Sequence, residues 1–436
     1  MADTALTPVP QRDLLTRAAR LTRSATREAA LVWTGVAAIA IHVADDNFFQ
    51  PAPGTSAGDH LASGLVPVVI LAALAAVYPR LRAGARAGMA MTLGGLGIAA
   101  GVPAAYYLLD GSASGDHYTG LVALAAGAVM LMTIPVTLWN ARRTGGSRRR
   151  RYVRRAGTIA AAPVVGAMLV WLIVFPIGFS YGYTHTGRTA VAPDLRVPYE
   201  SVTVTTSDSL ELTASYVPSK NRAAVILFPG ATRSDEARML IRHGYGVLLL
   251  DPRGQGASEG DTVRWAGDRD LLAGLEYVRG RADVDRGRIG AFGFSVGGEI
   301  LLEAAAQSTG FKAVVSEGAG FRIGDADDLS GADRLLLAPI MPVLTAATAV
   351  FSNHRPPPPI VDRIGRIAPR SVFLIYADPG MGGETVRQPK YYAAAGEPKA
   401  IWKVPGAEHT GGLDARPAEY ERRVTAFFDG ALLRGA

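Results

Sequence analysis

Residues 291–298 read Ala-Phe-Gly-Phe-Ser-Val-Gly-Gly, and the spacing Gly293-x-Ser295-x-Gly297-Gly298 within them decides how the C-terminal half of this chain folds. The run Arg288 to Phe292 reads as a strand and Glu299 to Ala306 as a helix. A chain that passes from strand to helix within so few residues strains the residue at the turn and leaves its side chain exposed. Side chains at 293 and 297 would block that turn, which is why glycine is expected at both. Ser295 is therefore a candidate nucleophile. The plain alternative is a serine that only caps a helix, but strand, turn and helix are all in place.

Working outward, short apolar runs alternate with amphipathic ones from about residue 198, the pattern of a mostly parallel sheet covered on both faces. The expected strands are 201–206, 210–216, 224–228, 247–250, 288–292, 313–315, 371–376 and 400–404, the first two joined as a hairpin at Ser207-Asp208-Ser209. Between the sixth and seventh lies an insertion at about 318–368, with an apolar run from Leu335 to Leu344 and a stiff spacer from Pro356 to Pro359. It is the expected cap.

The stretches Leu227-Phe228-Pro229-Gly230-Ala231, Gly246-Val247-Leu248-Leu249-Leu250-Asp251-Pro252-Arg253-Gly254-Gln255-Gly256-Ala257-Ser258-Glu259-Gly260 and Gly293-Phe294-Ser295-Val296-Gly297-Gly298 together resemble the α/β-hydrolase superfamily. The likeness is to its prolyl-oligopeptidase, dienelactone-hydrolase and membrane-anchored depalmitoylase-like branches, and it covers the whole C-terminal half. The resemblance implies a sheet of eight strands with a small cap, a serine nucleophile, no cofactor and no metal. The Asp251-x-Arg253-Gly254-x-Gly256-x-Ser258 turn is a fold marker with no catalytic role assigned to it.

A serine hydroxyl attacks well only when a neutral imidazole takes its proton, and the imidazole needs a carboxylate to hold its tautomer. In this family the chain order is serine, acid, histidine. Of the histidines after Ser295, His354 falls in the cap before the acid's place, and His409 follows the last strand. His409 is the expected base. The acid is open between two residues of the loop after the seventh strand. Asp378 sits almost on the strand and would need an immediate turn; Glu384, favoured here, follows a glycine-rich excursion and opens the next helix. The oxyanion hole calls for two backbone N–H groups, expected from Val296 and Ala231. Pro229-Gly230 replaces the usual His-Gly before the latter without removing a needed donor.

The N-terminal half is different. With 436 residues, 49% of them hydrophobic, the chain is too long for one domain and too apolar to be wholly soluble. Apolar stretches at about 29–46, 61–78, 88–109, 118–139 and 157–182 each approach the roughly 20 residues that span a bilayer. The expected division is a basic leader at 1–28, a helical transmembrane region at 29–189 and a catalytic domain at 190–436. The formal charge of +7 resides before about residue 190, so it signals membrane topology and not a nucleic-acid partner. There is no cysteine, which excludes disulfides, Cys-ligated zinc and thiol catalysis. Arg12, Arg17, Arg20, Arg23 and Arg27 precede the first span, Arg80, Arg82 and Arg86 follow the second, and Arg142, Arg143 and Arg148 to Arg151 lie between the fourth and fifth. The other loops carry Asp45, Asp46, Asp59, Asp110 and Asp116. The positive-inside rule makes the protein a multi-pass cell-membrane protein with a cytoplasmic N-terminus and an extracytoplasmic catalytic domain.

Two features of the spans have bland and functional readings. Gly97-x-x-x-Gly101 and Ala123-x-x-x-Gly127 permit close helix contact, although small residues abound here. His42, His60, His117 and His185 fall at the outer ends of the spans near Asp45, Asp46, Asp59 and Asp116, where they could hold a metal or a polar head group; polar residues also gather at any membrane interface.

The expected activity is hydrolysis of an ester, thioester or amide through an acyl-enzyme, on a small-molecule or lipid-derived acyl substrate near the membrane lipid. The rivals are an acyltransferase with the same triad and a receptor whose hydrolase domain is a dead binding module. For topology, a reporter active only outside the cytoplasm should work when fused near Val191 and fail near Gly146. Two inactive fusions would mean an even number of crossings.

Overall fold

The computed structural model describes residues 11–109, 115–140, 147–185, 192–230, 232–262, 265–320, 322–323, 331–381 and 383–434. Asp110, Arg142, Arg143 and Ala231, all singled out from the sequence, lie outside them. The chain divides into two compact units, one of residues 1–51 and 60–182 and one of residues 52–59 and 183–436. The short segment 52–59, which follows the first apolar stretch, thus belongs with the C-terminal half.

The first unit is built from α1 (Gln11–Ala44), α2 (Leu61–Val77), α3 (Ala83–Leu109), α4 (His117–Asn140), α5 (Arg148–Leu169) and α6 (Phe175–Thr184), the last two continuous through a π-helical turn at Val170–Val174. Among the described residues, five helical stretches are long and apolar enough to cross a membrane: Arg27–Phe49, Ala57–Arg80, Ala83–Leu109, His117–Leu138 and Ala160–Thr184. The two small-residue spacings meet at one interface. A Cβ on Gly101 would lie 2.4 Å from the Leu124 Cβ, and one on Gly127 would lie 2.5 Å from the Gly94 carbonyl oxygen. The backbones of α3 and α4 therefore approach as closely as only small residues allow.

The second unit contains β1 (Glu200–Thr205), β2 (Glu211–Val217), β3 (Ala224–Phe228), α7 (Ser234–Arg242), β4 (Gly246–Leu250), α8 (Gly267–Arg279), β5 (Ile289–Phe294), α9 (Val296–Gln307), β6 (Ala313–Glu317), α10 (Gly331–Leu337), α11 (Met341–Ser352), β7 (Ser371–Asp378), α12 (Glu384–Ala394), β8 (Lys399–Pro405), α13 (Gly412–Ala415) and α14 (Pro417–Phe428). The strands form one sheet in the order β1-β2-β4-β3-β5-β6-β7-β8. The β1–β2 hairpin is antiparallel and runs antiparallel to β4, while β4, β3, β5, β6, β7 and β8 are mutually parallel. This is the α/β-hydrolase fold, with five apolar helices N-terminal to it. Three strands run two residues past their expected ends: β5 continues to Phe294 and β6 to Glu317, which pair, and β7 continues to Asp378, opposite Pro405. Neighbours on both sides of β5 supply ladder bonds that outweigh the low strand propensity of Gly293.

Because side chains alternate along a strand, the sheet makes a core on each face. Ile226, Phe228, Leu248, Leu250, Ala291 and Val314 pack with residues of α8 and α9. Val225, Leu227, Phe292, Phe294, Val315 and Ile375 pack on the other face with Tyr420, Val424 and Phe428 of α14. β5 is at the centre of both layers, so the turn at its end rests on the best-supported backbone in the unit.

The insertion forms α10 and α11, and its apolar run divides in two. Leu335 and Leu336 are exposed, whereas Ile340, Met341 and Leu344 are buried, the latter two beside Trp265 and Ile323. Phe292, fully buried and with its ring centroid 4.3 Å from that of Phe294, tests the central layer. Phe292→Ala should destabilise the hydrolase unit by about 3–5 kcal/mol, read as a lowered thermal-unfolding midpoint of the detergent-solubilised chain.

Candidate active site

β5 delivers the chain to Ser295 at the carboxyl ends of the parallel strands, where ligands of open α/β sheets bind. Ser295 has φ 53° and ψ −124°, a backbone conformation that a residue with a side chain rarely adopts. Its N–H donates to the Glu317 carbonyl oxygen at 2.8 Å, extending the ladder into the turn, and α9 starts at the next residue. The steric demand is visible at both glycines. A Cβ on Gly293 would lie 2.5 Å from the Gly297 carbonyl oxygen, and one on Gly297 would lie 2.4 Å from that of Phe228.

The turn aims the Ser295 hydroxyl at the loop after β8. Ser295 Oγ lies 2.8 Å from His409 Nε2, and His409 Nδ1 lies 2.8 Å from Glu384 Oε1. Glu384 is the first residue of α12 and fully buried. Its carboxylate also accepts from the N–H groups of Ala377 at 3.1 Å and Met381 at 2.9 Å. Burial pushes this carboxyl up, but the hydrogen bonds from His409, Met381 and Ala377 outweigh it and hold it below the ordinary value. An ionised Glu384 can only accept, so the proton belongs on His409 Nδ1 and the Nε2 lone pair faces the serine hydroxyl. Asp378 does not reach His409. It ends β7 and turns to Lys403 on β8, 2.8 Å away. His354 lies just after α11, its Nδ1 2.6 Å from the Ser352 carbonyl oxygen.

Partners without any readable spacing hold the histidine loop. Thr410, next to His409, has φ 56°, unusual for a β-branched residue, and its hydroxyl accepts from Arg233 Nη2 at 3.1 Å. That guanidinium also lies 4.2 Å over the Phe294 ring and 3.5 Å from Glu236. Two residues beyond Thr410, the Gly412 N–H donates to Glu317 Oε1 at 2.9 Å, while the Tyr420 hydroxyl donates to the other oxygen. Burial pushes the Glu317 carboxyl up to about 7, despite these bonds. The only trace in the sequence is a carboxylate closing an otherwise apolar strand, Ala313–Glu317.

Val296 is the first residue of α9, so its N–H has no acceptor within the helix and is available to a ligand. Ala231, the other expected donor, lies outside the described residues. The Gly230 N–H is already committed to the Leu250 carbonyl oxygen at 2.8 Å. A pit of about 100 Å³ opens beside Ser295, walled by Phe228, Pro229, Phe294, Val296 and Ile300, with Arg253 and Asp270 along one side. Arg253 is occupied: it bonds Asp270 at 2.8 Å and Asp208 at 2.8 and 3.1 Å, a structural role for the Asp251-x-Arg253 turn.

Among the described residues, no group of three or more His, Asp or Glu side chains is arranged to hold a metal. The histidines grouped from the sequence meet different partners. His42 contacts Thr119 and Tyr181, both at 3.2 Å, with Thr119 in turn donating to Asp45 at 2.8 Å. His117 stacks on Tyr107 at 4.4 Å, His60 is buried at the start of α2, and His185, in the second unit, meets Thr184 at 2.9 Å and the edge of Phe351. Asp46 bonds to Asn47 at 3.3 Å and also to Asp116 and Tyr181, so His42, Asp45, Asp46 and Asp116 are linked through Thr119 and Tyr181.

A family model for X-Pro dipeptidyl-peptidase (S15 family) matches residues 185–364, a span that includes Ser295 and stops short of Glu384 and His409. The chain is 31% identical over 141 residues to the alpha/beta hydrolase domain-containing protein WAV2 of Arabidopsis thaliana, covering 30% of this chain and 44% of that protein. It is 32% identical over 121 residues to a polyketide transferase, grgF, of Penicillium sp., covering 25% of this chain and 41% of that protein. It thus spans less than half the length of either relative. An esterase structure from Pyrococcus furiosus superposes with a TM-score of 0.45 at 19% identity, covering 57% of this chain and 100% of that one.

The two carboxylates separate cleanly in a kinetic test. Glu384→Gln should lower kcat by about three to four orders of magnitude, and Asp378→Asn by less than about tenfold. The measurement is steady-state ester hydrolysis by each variant.

Proposed function

We propose that this chain, a member of the α/β-hydrolase superfamily through its C-terminal half, is a membrane-anchored serine hydrolase that cleaves an ester, thioester or amide through an acyl-enzyme. The observation that carries this reading is the unbroken relay Ser295 Oγ, His409 Nε2, His409 Nδ1, Glu384 Oε1, with 2.8 Å at each hydrogen bond.

In the reaction, Ser295 Oγ attacks the substrate carbonyl carbon while its proton passes to His409 Nε2. The imidazolium is stabilised by Glu384, and the carbonyl oxygen gathers negative charge toward the Val296 N–H. His409 Nε2 then gives its proton to the leaving alcohol, thiol or amine as the carbon–leaving-group bond breaks, leaving the acyl group on Ser295. Water, deprotonated by His409, attacks the acyl carbon, and Ser295 recovers its proton as the acid departs. Acyl transfer differs only in the second nucleophile. The name of the Penicillium relative, a polyketide transferase, favours keeping that second reading.

The membrane setting is supported by the five apolar stretches. Four of them separate Asp59 from Tyr183, an even number, so segment 52–59 and the catalytic half share one side of the membrane. Both fall in one compact unit, and the Gly260 N–H donates to the Pro53 carbonyl oxygen at 2.8 Å. The arginine distribution makes that side the outer one.

Ser295→Ala should lower turnover of an activated ester by at least about four orders of magnitude while leaving thermal unfolding in place. Turnover that survives in this variant would move the nucleophile to another residue.

A further inference from the structure

We infer that the site accepts short acyl groups and that Ile300, packed on Gly267, sets their maximum length, a limit that presupposes the acyl-enzyme proposed above. The pit beside Ser295 holds about 100 Å³. An apolar cavity of about 150 Å³ accommodates benzene, so this volume takes roughly four carbon atoms. Its orientation follows from the chemistry of the relay. The leaving group receives its proton from His409 Nε2 and departs on that side, whereas His409 is not among the residues lining the pit. Val296, the oxyanion donor, is among them. The pit therefore faces the acyl half of the substrate.

Ile300, one of the apolar side chains that line the pit, is held against a glycine that also lines it. Ile300 lies on α9 beyond Ser295, 6% exposed, and joins the core formed with Leu271, Leu275 and Ala304. Gly267, the first residue of α8, lines the pit beside it, and a Cβ there would lie 2.8 Å from Ile300 Cδ1 and 3.1 Å from Cγ2. Two substitutions consequently act in opposite directions. Ile300→Ala removes part of the wall and extends the pit toward an apolar core. Gly267→Ala adds a methyl group to the lining, against the flexible end of Ile300, and narrows the pit, and alanine suits a helix better than glycine does.

The test uses the full chain in lipid nanodiscs with p-nitrophenyl acetate, butyrate and octanoate, comparing kcat/KM. The wild type should favour acetate and butyrate over octanoate by at least about tenfold, since groups that overfill a tight pocket are rejected on that scale. Ile300→Ala should raise octanoate relative to acetate by about tenfold or more, and Gly267→Ala should lower butyrate relative to acetate by about threefold or more. If Ile300→Ala fails to fold, Gly267→Ala carries the comparison. A wild type that prefers octanoate, or a chain-length profile that folded variants leave unchanged, overturns the length limit. Fluorophosphonate labelling of wild-type Ser295, run in parallel, reports on the acyl-enzyme separately: its presence beside an unaltered profile sinks only the length limit, and its absence sinks both.

Discussion

The left-handed turn at Ser295 is the constraint on which the rest of the hydrolase unit depends. A residue held at φ 53° costs of order 1–3 kcal/mol and persists only where its surroundings over-determine it. Here they do. β5 lies between β3 and β6, the Ser295 N–H extends the ladder to Glu317, and Phe292 and Phe294 anchor the strand in the core beneath. The strain exposes the hydroxyl and starts α9 at Val296, so the proposed nucleophile and the proposed oxyanion donor come from one local decision of the backbone.

That decision is useful only if the histidine arrives at the right place, and the loop that brings it is tied at two points just after the histidine. Arg233 holds Thr410 from before α7, and Glu317 holds Gly412 from the end of β6. Glu317 thus serves twice: its backbone oxygen receives the Ser295 N–H and its carboxylate receives the Gly412 N–H. Ser295 and the loop of His409 are thus both tied to one residue of the sheet.

Much of this was legible in the sequence, because the features in question are local. Alternating apolar runs mark all eight strands to within a few residues at their ends, and the glycines around Ser295 mark the turn that any side chain would obstruct. The choice between Glu384 and Asp378 was not settled there, since both lie in one loop and what separates them is a backbone path that folds Glu384 back under Ala377 and Met381. The ties to Arg233 and Glu317 were invisible, as they join residues 177 and 95 positions apart. In the N-terminal half, spacing identified the small residues that let helices approach, yet it could not say that α3 and α4 are each other's partners. For the polar residues at the helix ends, similar positions along several helices carry no information about azimuth, so the links of His42 and Asp45 to Thr119, and of His42 to Tyr181, could not be read from spacing.

The central claim is that Ser295 carries the acyl group. Treating the full chain with a fluorophosphonate and mapping the adduct by tryptic digestion and mass spectrometry tests it directly, because cleavage after Arg288 and Lys312 isolates the turn on one peptide. The account predicts a stoichiometric adduct on residues 289–312 that fragments to Ser295. An adduct on Ser308 of that peptide, on any other peptide, or on none would contradict it.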